Sequence, residues 1–308
     1  MEKTSSPEEY RSGIVSLIGP PNAGKSTLLN TMLGQKVAIV TPKPQTTRNR
    51  ISGILTREDV QIVFLDTPGI HQGKKRLNKA IVNAAWQAFH SSDAAVLILD
   101  GARYRNKPGR LEQDVAPLLL PLERSRVPLV IGVNKVDQVR DKKLLLPIFD
   151  RLQSYWPGRS FHPLSALKGT GVEEILSTLI PHLPPGPPLY PEDQISTAPI
   201  RFLTSEIIRE KLFLHLKEEL PYSIAVEVEH WEEQPGIVYI NALIYVARER
   251  HKGMVVGRKG SLLKQVGRSA REEIEELVGK KVHLELWVKV RKDWPDNRQF
   301  LLSMGLEE

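Results

Sequence analysis

The chain contains no cysteine. This absence excludes disulfide bonds and metal sites built on thiolates. No run of eighteen apolar residues occurs, so no transmembrane helix is expected. The first twelve residues are polar and acidic, unlike a signal peptide. A cytosolic protein is the simplest interpretation.

The chain has an excess of positive charge, but the global distribution of this charge does not locate a nucleic-acid site. The 308 residues carry a net charge of +7, and their length suits two domains. Residues 1–200 hold 25 basic and 18 acidic side chains, whereas the remainder holds 18 of each. Local charge is more informative, because residues 248–268 contain seven cations and Glu249 as the one acid.

The first 183 residues alternate between short apolar runs and segments with helical spacing. The apolar runs are 14–18, 60–65, 94–99, 127–133 and 160–164, and the helical segments are 24–33, 76–90, 110–123, 142–155 and 171–182. This alternation predicts an α/β domain, a mostly parallel sheet with helices on both faces. Residues 184–199 contain six prolines, which predicts a stiff linker between a domain at 1–183 and another at 200–308.

The C-terminal part has a different order of elements. We expect a helix at 204–220 capped by Thr204 or Ser205, strands at 222–232 and 237–247, helices near 248–256 and at 261–278, and a strand at 281–290. The order α-β-β-α-α-β predicts an α+β domain.

Residues 19–26 read GPPNAGKS and fit the phosphate-loop pattern between a strand and a helix. Backbone N–H groups at the start of the helix would surround phosphate oxygens. Lys25 would reach the β- and γ-phosphates, and the Ser26 hydroxyl would bind Mg²⁺. The predicted nucleotide-contacting residues here are Gly19, Pro20, Pro21, Asn22, Ala23, Gly24, Lys25, Ser26 and Thr27.

Residues 134–137 read NKVD at the end of a predicted strand and select guanine. The Asp137 carboxylate can accept from guanine N1–H and the exocyclic amine, donors that adenine lacks there. Asn134 can bond the base edge, and the Lys135 stem can pack over the ring. Ser165, Ala166 and Leu167 end the next strand, where the Ala166 N–H is predicted to meet guanine O6.

Asp66-Thr67-Pro68-Gly69 ends the strand at 60–65. Asp66 would hold a water of the Mg²⁺ shell, and the Gly69 N–H would meet the γ-phosphate. Thr47, with Thr46 as the alternative, would close on Mg²⁺ and the γ-phosphate.

The position after Gly69 is Ile70, where many GTPases have a water-orienting glutamine, so slow intrinsic hydrolysis is expected. Asn22 is a candidate ligand for K⁺, and a hydrogen bond that stabilises the loop is the alternative. His71 is a weaker candidate catalyst, and an exposed loop histidine is the alternative. The predicted catalytic residues are Lys25, Thr47, Gly69 and Asn22.

The stretches GPPNAGKS, QTTR, DTPG, NKVD, SAL, SEIIREK and VVGRKG together resemble the Era family of bacterial GTPases over nearly the whole chain. The resemblance implies hydrolysis of GTP to GDP with Mg²⁺. It also implies that the C-terminal domain is a type II KH domain, whose G-x-x-G loop clamps single-stranded nucleic acid. The implied partners are the 3′ end of small-subunit (16S) rRNA and the 30S subunit during assembly. A monomer is expected.

The RNA-binding candidates cluster around the GRKG loop and on the helix that precedes the C-terminal strands. They are Arg209, Lys211, Arg250, Lys252, Val256, Gly257, Arg258, Lys259, Gly260 and Lys264. For Arg209 and Lys211 the alternative is solvent-facing helix charge. The alternative function is a GTPase whose C-terminal domain docks on protein or on anionic lipid, with a peripheral location at the cytoplasmic face of the cell membrane.

Overall fold

The computed structural model describes residues 9–43, 46–70 and 76–305, the backbone alone at Arg76. The chain divides into two compact units, each treated separately below. Unit 1 takes its described residues from Met1–Ala38, Thr47–Gly73 and Ile81–Thr197, and unit 2 from Ile39–Thr46, Lys74–Ala80 and Ala198–Glu308.

The elements of the first 197 residues form a sheet with flanking helices. The strands are β1 Arg11–Ile18, β2 Ile51–Thr56, β3 Val60–Asp66, β4 Ala94–Asp100, β5 Leu129–Asn134 and β6 Phe161–Pro163. The helices are α1 Lys25–Leu33, α2 Arg76–His90, α3 Gly101–Asn106, α4 Gly109–Glu123, α5 Leu146–Tyr155 and α6 Val172–Leu179. The sheet order is β2-β3-β1-β4-β5-β6, and all neighbours are parallel except β2 with β3.

The sheet is buried because its central strands are mostly apolar. Every residue of β3 and β4 is buried, as expected for strands covered on both faces. The carboxyl ends of β1, β3, β4 and β5 therefore meet at one edge, where the predicted nucleotide residues begin.

The edge strand β2 was missed by the sequence interpretation, which assigned no strand between residues 18 and 60. Its sequence ISGILT has two small residues and no long apolar run. Gly53 is required there by close approach, since a Cβ would lie 2.5 Å from a Leu33 methyl carbon and 2.8 Å from one of Leu29. The strand pairs antiparallel with β3 and makes the sheet mixed.

The proline-rich residues run along unit 1 over most of their length. The Gln61 side chain accepts from the N–H groups of Leu189 and Tyr190 at 2.7 and 2.8 Å, and the Ile54 N–H donates to the Ile195 carbonyl at 2.9 Å. These bonds fix the segment to β2 and β3. The predicted domain boundaries at 183 and 199 stay predictions.

The elements of unit 2 after residue 198 follow the predicted order. They are α7 Ile200–His215, β7 Ile224–Gln234, β8 Ile237–Val246, α8 Glu249–Val256, α9 Ser261–Val278, β9 Lys281–Val290 and α10 Arg298–Ser303. The sheet order is β7-β8-β9, with β8 antiparallel to β7 and parallel to β9. One apolar cluster from α7, α9 and the inward faces of the strands forms the core.

The helix α7 starts earlier than predicted, and neither Thr204 nor Ser205 caps it. Pro199 is the residue before the helix, with φ −58° that suits a helix start. The Ser205 hydroxyl donates instead to the Phe202 carbonyl within the helix at 2.7 Å. No described helix is long and apolar enough to cross a membrane.

Candidate functional site

The turn between β1 and α1 has a backbone that admits few side chains. Gly19 and Gly24 have φ values of 142° and 101°, and Asn22 lies at 63°. A Cβ on Gly19 would lie 2.2 Å from the Ile98 carbonyl oxygen, and one on Gly24 would lie 2.2 Å from Asn134 Nδ2. No side chain caps the start of α1. The N–H groups of its first turn are therefore available to an anion.

Lys25 lies in this turn as a buried cation. Its ammonium group donates to the carbonyls of Gly19 and Pro20 at 3.1 and 3.0 Å. Burial lowers the pKa of Lys25 to about 8, and the nearby Asp66 opposes the shift. A phosphate beside it would favour the charged form and raise this pKa.

Three predicted metal residues come together at the ends of different elements. Ser26 Oγ lies 2.6 Å from Asp66 Oδ2 and 2.9 Å from Thr47 Oγ1, and Thr47 Oγ1 lies 3.2 Å from Asp66 Oδ2. Asp66 Oδ1 is buried and has no hydrogen-bond partner in the described parts of the chain. Hydroxyl and carboxylate oxygens are the donors that Mg²⁺ prefers. The residues present therefore fit this ion.

Asp66 is the titratable group in this cluster. Burial raises its pKa to about 6, and hydrogen bonds from Ser26 and Thr47 and the charge of Lys25 act in the opposite direction. A bound cation would restore the ionised form.

Thr47, and not the alternative Thr46, has its hydroxyl in this cluster. The Thr46 hydroxyl lies 2.6 Å from that of Thr41 and donates to the Lys43 carbonyl at 2.8 Å. The two hydroxyls therefore have different partners, and only that of Thr47 contacts Ser26 and Asp66.

Gly69 lies against the phosphate loop, where a Cβ would be 2.6 Å from Pro21 Cα. The following Ile70 N–H donates to the Gly19 carbonyl at 3.0 Å, and its side chain is buried in the core. Ile70 therefore does not present a group that could orient a water. His71 lies outside the described residues.

The Asn134 side chain joins three loops. Its Nδ2 donates to the Ala23 carbonyl at 2.8 Å, and its Oδ1 accepts from the N–H groups of Lys135 and Ala166 at 2.7 and 2.9 Å. The Asn134 side chain is buried between the loops. The predicted contacts of Asn134 and of the Ala166 N–H with guanine stay predictions.

Lys135 is held by a residue that the sequence interpretation missed. Its ammonium group donates to the Asn22 carbonyl at 2.6 Å and to Asp100 Oδ2 at 2.7 Å. The other oxygen of Asp100 accepts from the Arg103 N–H at 2.9 Å and caps α3. The available signal was the position of Asp100 at the end of a buried strand.

Asp137 is exposed on the same side of the sheet. Its Oδ1 accepts from the Ser165 hydroxyl at 2.7 Å, which fixes the carboxylate between the two loops. Leu167 is 70% exposed in the second loop. The geometry therefore keeps Asp137 and Leu167 accessible to a base, while Asn134 and Ser165 position the loops. Pro20 and Ala23 are buried in the phosphate loop, and Pro21 and Thr27 are half-buried.

The GRKG loop in unit 2 joins α8 to α9 through left-handed backbone. Gly257, Lys259 and Gly260 have φ values of 74°, 51° and 77°. A Cβ on Gly257 would lie 2.9 Å from the Leu262 N, whereas a Cβ on Gly260 would meet nothing within 4 Å. Gly257 is thus required by close approach, and Gly260 by its backbone angle alone. No side chain caps the start of α9.

Five of the predicted RNA cations are exposed around this loop, and none is in an ion pair within the described residues. They are Arg250, Lys252, Arg258, Lys259 and Lys264. Val256 is half-buried beside them.

The other two predicted cations lie elsewhere on unit 2 and are paired. Arg209 is 3% exposed and bonds Glu206, and Lys211 bonds both Glu210 and Glu273. Neither cation projects into solvent from α7 in the way that a phosphate contact requires. Their predicted RNA role stays a prediction that this geometry does not favour.

Two family models match the chain. Residues 14–135 match the model described as 50S ribosome-binding GTPase, and residues 219–295 match the KH domain. The chain is 54% identical over 299 residues to GTPase Era of Nitratidesulfovibrio vulgaris strain DP4, covering 96% of this chain and 97% of the relative. It is 43% identical over 304 residues to GTPase Era of Geotalea uraniireducens, covering 97% and 99%.

Solved structures agree over the same length. A crystal structure of Era in complex with MgGDPNP and nucleotides 1506–1542 of 16S ribosomal RNA has a TM-score of 0.89 and 37% identity, covering 97% of this chain and all of that chain. An Aquifex aeolicus Era variant bound to GDP·AlF4⁻ has a TM-score of 0.88 and the same identity and coverage. The phosphate loop, the guanine-selecting loops and the appended KH unit thus occur together in one chain, which belongs to the Era family of GTPases.

Proposed function

We propose that this chain is a GTP-dependent switch that binds the single-stranded 3′ end of 16S rRNA and assists assembly of the 30S subunit. Unit 1 binds GTP with Mg²⁺ and hydrolyses it to GDP and phosphate. Unit 2 holds the RNA. The proposal is supported by the Era relatives and by the charge and backbone of the GRKG loop.

The proposed binding and hydrolysis of GTP by unit 1 are supported by the residues around the phosphate loop. The first turn of α1 and Lys25 bind and orient the phosphates, and Ser26, Thr47 and Asp66 hold Mg²⁺. The metal supplies positive charge where the transition state becomes more negative. Because Ile70 is buried and apolar, intrinsic hydrolysis is slow, and K⁺ near Asn22 is the candidate for the missing positive charge.

The observation that carries the RNA half is the uncapped start of α9 beside two left-handed glycines and five exposed cations. Unpaired N–H groups and a partial positive charge attract a phosphate. The glycines let a nucleic-acid backbone approach closely, and the cations add sequence-independent affinity.

A matched pair of variants at Gly260 tests this half. A Cβ meets nothing there, and Asn and Asp both tolerate left-handed backbone and both cap helices. Gly260→Asp places a negative charge at the RNA phosphate, while Gly260→Asn has nearly the same shape without charge. We expect Gly260→Asp to weaken binding of an RNA copied from the 3′ end of 16S rRNA at least tenfold, and Gly260→Asn less than threefold. Equal affinities with equal thermal stabilities would remove the RNA-binding role of the loop.

The second candidate function is docking of unit 2 on anionic lipid, with the protein in the cytoplasm and at the inner face of the membrane. The same exposed cations favour it, since each basic residue near an anionic surface contributes about 1 kcal/mol. Co-sedimentation with phosphatidylserine vesicles, without RNA, decides between the two. Pelleting of wild type and not of Gly260→Asp supports docking, and no pelleting at low salt removes it.

A further inference from the structure

The turn between α3 and α4 in unit 1 carries three exposed cations. Arg105, Lys107 and Arg110 lie on the surface, and none of them forms an ion pair within the part of the chain that the structure describes. The Arg105 guanidinium bonds the neutral side chain of Asn106 at 2.9 Å. Three positive charges in a short stretch of unit 1 therefore have no counter-charge from the fold.

The acids nearest to this turn in the sequence are committed to other cations. Each acid of residues 100–114 forms an ion pair with a cation outside the set of three. The pairs are Asp100 with Lys135, Glu112 with Arg151, and Asp114 with Arg103 at 3.5 Å. A local excess of positive charge raises the electrostatic potential at the surface and attracts anions.

The backbone beneath the three cations is fixed by hydrogen bonds and by a buried aromatic side chain. Asp100 accepts from the Arg103 N–H at 2.9 Å, and the Lys107 N–H donates to the Arg103 carbonyl at 2.8 Å. The Arg110 N–H donates to the Lys107 carbonyl at 2.9 Å. Tyr104 is 1% exposed and anchors α3 in the core of unit 1. Because the backbone is ordered in advance, less conformational entropy is lost when a ligand binds.

The chemistry of the turn suits the phosphates of an RNA duplex. Two of the three cations are arginines, whose planar guanidinium can donate two parallel hydrogen bonds to one phosphate. No aromatic side chain is exposed among residues 101–110, so single-stranded bases would find no surface for stacking there. Double-stranded RNA is recognised mostly through its shape and its backbone. Cations on a fixed backbone, without a stacking surface, therefore favour the duplex over the single strand.

We propose that Arg105, Lys107 and Arg110 of unit 1 form a site for the sugar-phosphate backbone of double-stranded RNA. The site binds without reading sequence, because it offers charge to phosphates and no defined contact to base edges. It goes beyond the proposed function, since it neither includes the GRKG loop nor requires a single strand.

The test measures binding of a blunt-ended RNA duplex to the full chain, with GDP and Mg²⁺, over a range of salt concentrations. The site variant combines Arg105→Gln, Lys107→Gln and Arg110→Gln. The control variant loses the same net charge by Arg124→Gln, Arg126→Gln and Arg159→Gln. Both variants are also made with Gly260→Asp, which places a negative charge on the GRKG loop.

The control cations are matched in exposure but lie at the other edge of the sheet in unit 1. All three are exposed and form no ion pair within the described residues. Arg124 follows α4, whose fifteen residues span about 22 Å. Arg126 precedes β5 and Arg159 precedes β6, whereas the turn follows the carboxyl end of the parallel strand β4.

We expect the site variant to bind the duplex at least tenfold more weakly than wild type, and the control variant to stay within threefold. Each phosphate neutralised on a duplex contributes about −0.9 to the slope of log affinity against log salt. The slope of the site variant should therefore be shallower by about 2 to 3. The same differences should appear in the Gly260→Asp background, with GDP affinity and thermal stability equal in all proteins.

Equal duplex affinities and equal salt slopes for wild type and the site variant would overturn the proposal. Equal losses in the site and control variants would also overturn it, because they would show an effect of net charge alone. Co-sedimentation with phosphatidylserine vesicles is the third arm. If wild type pelleted, the site variant did not and neither bound the duplex, the turn would be a lipid contact instead.

The same measurements separate this site from the RNA-binding role of the GRKG loop. Duplex binding that depends on the three cations, in a chain that does not bind the 3′ end single strand, would support the duplex site and remove the role of the loop. Single-strand binding by wild type without any duplex binding would have the reverse meaning.

Discussion

The carboxylate of Asp66 makes Mg²⁺ binding depend on pH. Its pKa is raised to about 6 by burial, so a proton competes with the metal below that pH. We expect the Mg²⁺ affinity of the GTP-analogue complex to fall as pH drops from about 6 toward 5, approaching tenfold per pH unit. Metal titrations from pH 5 to 7.5 measure this, and Asp66→Asn should show weak binding without the pH dependence. A flat wild-type profile would contradict the assignment.

The raised pKa of Asp66 also predicts that the ionised carboxylate, which favours Mg²⁺ binding, lowers the stability of the nucleotide-free fold. A carboxyl whose folded pKa lies above its unfolded value of 3.8 makes folding less favourable as pH rises from about 4 to 6. A shift of about two units corresponds to roughly 3 kcal/mol. Nucleotide-free Asp66→Asn should therefore be at least as stable as wild type at pH 7.5, in denaturant unfolding at fixed salt. A loss of more than about 1 kcal/mol would show that the ionised carboxylate stabilises the fold.

In the described parts of the chain, Asp100 contacts Lys135 and no metal-site residue. A substitution at Asp100 should therefore change nucleotide affinity without changing the rate of hydrolysis. Asp100→Asn keeps an oxygen to cap α3 but removes the charge that holds the ammonium group. We expect GDP and GTP-analogue affinities to fall equally, by about tenfold or ~1.4 kcal/mol, with kcat at saturation unchanged.

Fluorescent-nucleotide titration and steady-state hydrolysis measure these effects of Asp100→Asn. Arg103→Ala, also on α3 but outside the Lys135 contact, is the control. A loss confined to one nucleotide would assign Asp100 a different role.

The sequence predicted which residues meet in the nucleotide site where these residues belong to a spaced motif or stand at the end of a strand. The grouping of Ser26 and Asp66 follows from a phosphate loop and a strand end at the same sheet edge. Thr47 was favoured over Thr46, but the sequence could not remove the alternative, because the choice depends on which side of the chain each side chain faces. The contacts of Asn134 and the role of Asp100 were missed because they join loops far apart in sequence.

Among the elements of the first domain, the alternation of apolar runs and helically spaced segments predicted nearly every strand of the sheet and nearly every helix beside it. The exceptions have local causes. The edge strand β2 lacks a continuous apolar run, and α7 begins at a proline that composition alone marked as linker. α3 is only six residues long, and its start depends on capping by Asp100.

The loop before α9 predicts a measurable salt dependence. Each phosphate neutralised on a single strand contributes about −0.7 to the slope of log affinity against log salt. Arg258→Ala and Lys259→Ala should each make this negative slope shallower by about 0.7 for RNA binding. Each variant should weaken binding by a similar factor for different RNA sequences. Arg268→Ala is the control on α9, because Arg268 is 80% exposed but paired with Glu272 at 3.2 Å. Equal slopes for all four proteins would place the RNA phosphates elsewhere.

For the molecule as a whole, the order of a GTPase unit and a KH unit was predictable, but the assignment of residues 39–46 was not. These residues have no pattern that attaches them to α7, and the bond between Val40 and Glu210 spans 170 positions. Their placement in unit 2 depends on side chains whose partners only the folded chain reveals. How the nucleotide state is coupled to RNA binding is a question that the sequence left open.

If the bound nucleotide controls RNA affinity, the two nucleotide states of the wild-type chain should bind RNA differently. The affinity of the wild-type chain for a single-stranded RNA from the 3′ end of 16S rRNA is measured with a GTP analogue and with GDP, at one salt concentration and with Mg²⁺. We expect tighter binding in the GTP-analogue state, by fivefold or more, or about 1 kcal/mol. Equal affinity in the two states would contradict it and would make unit 2 an RNA tether independent of the nucleotide.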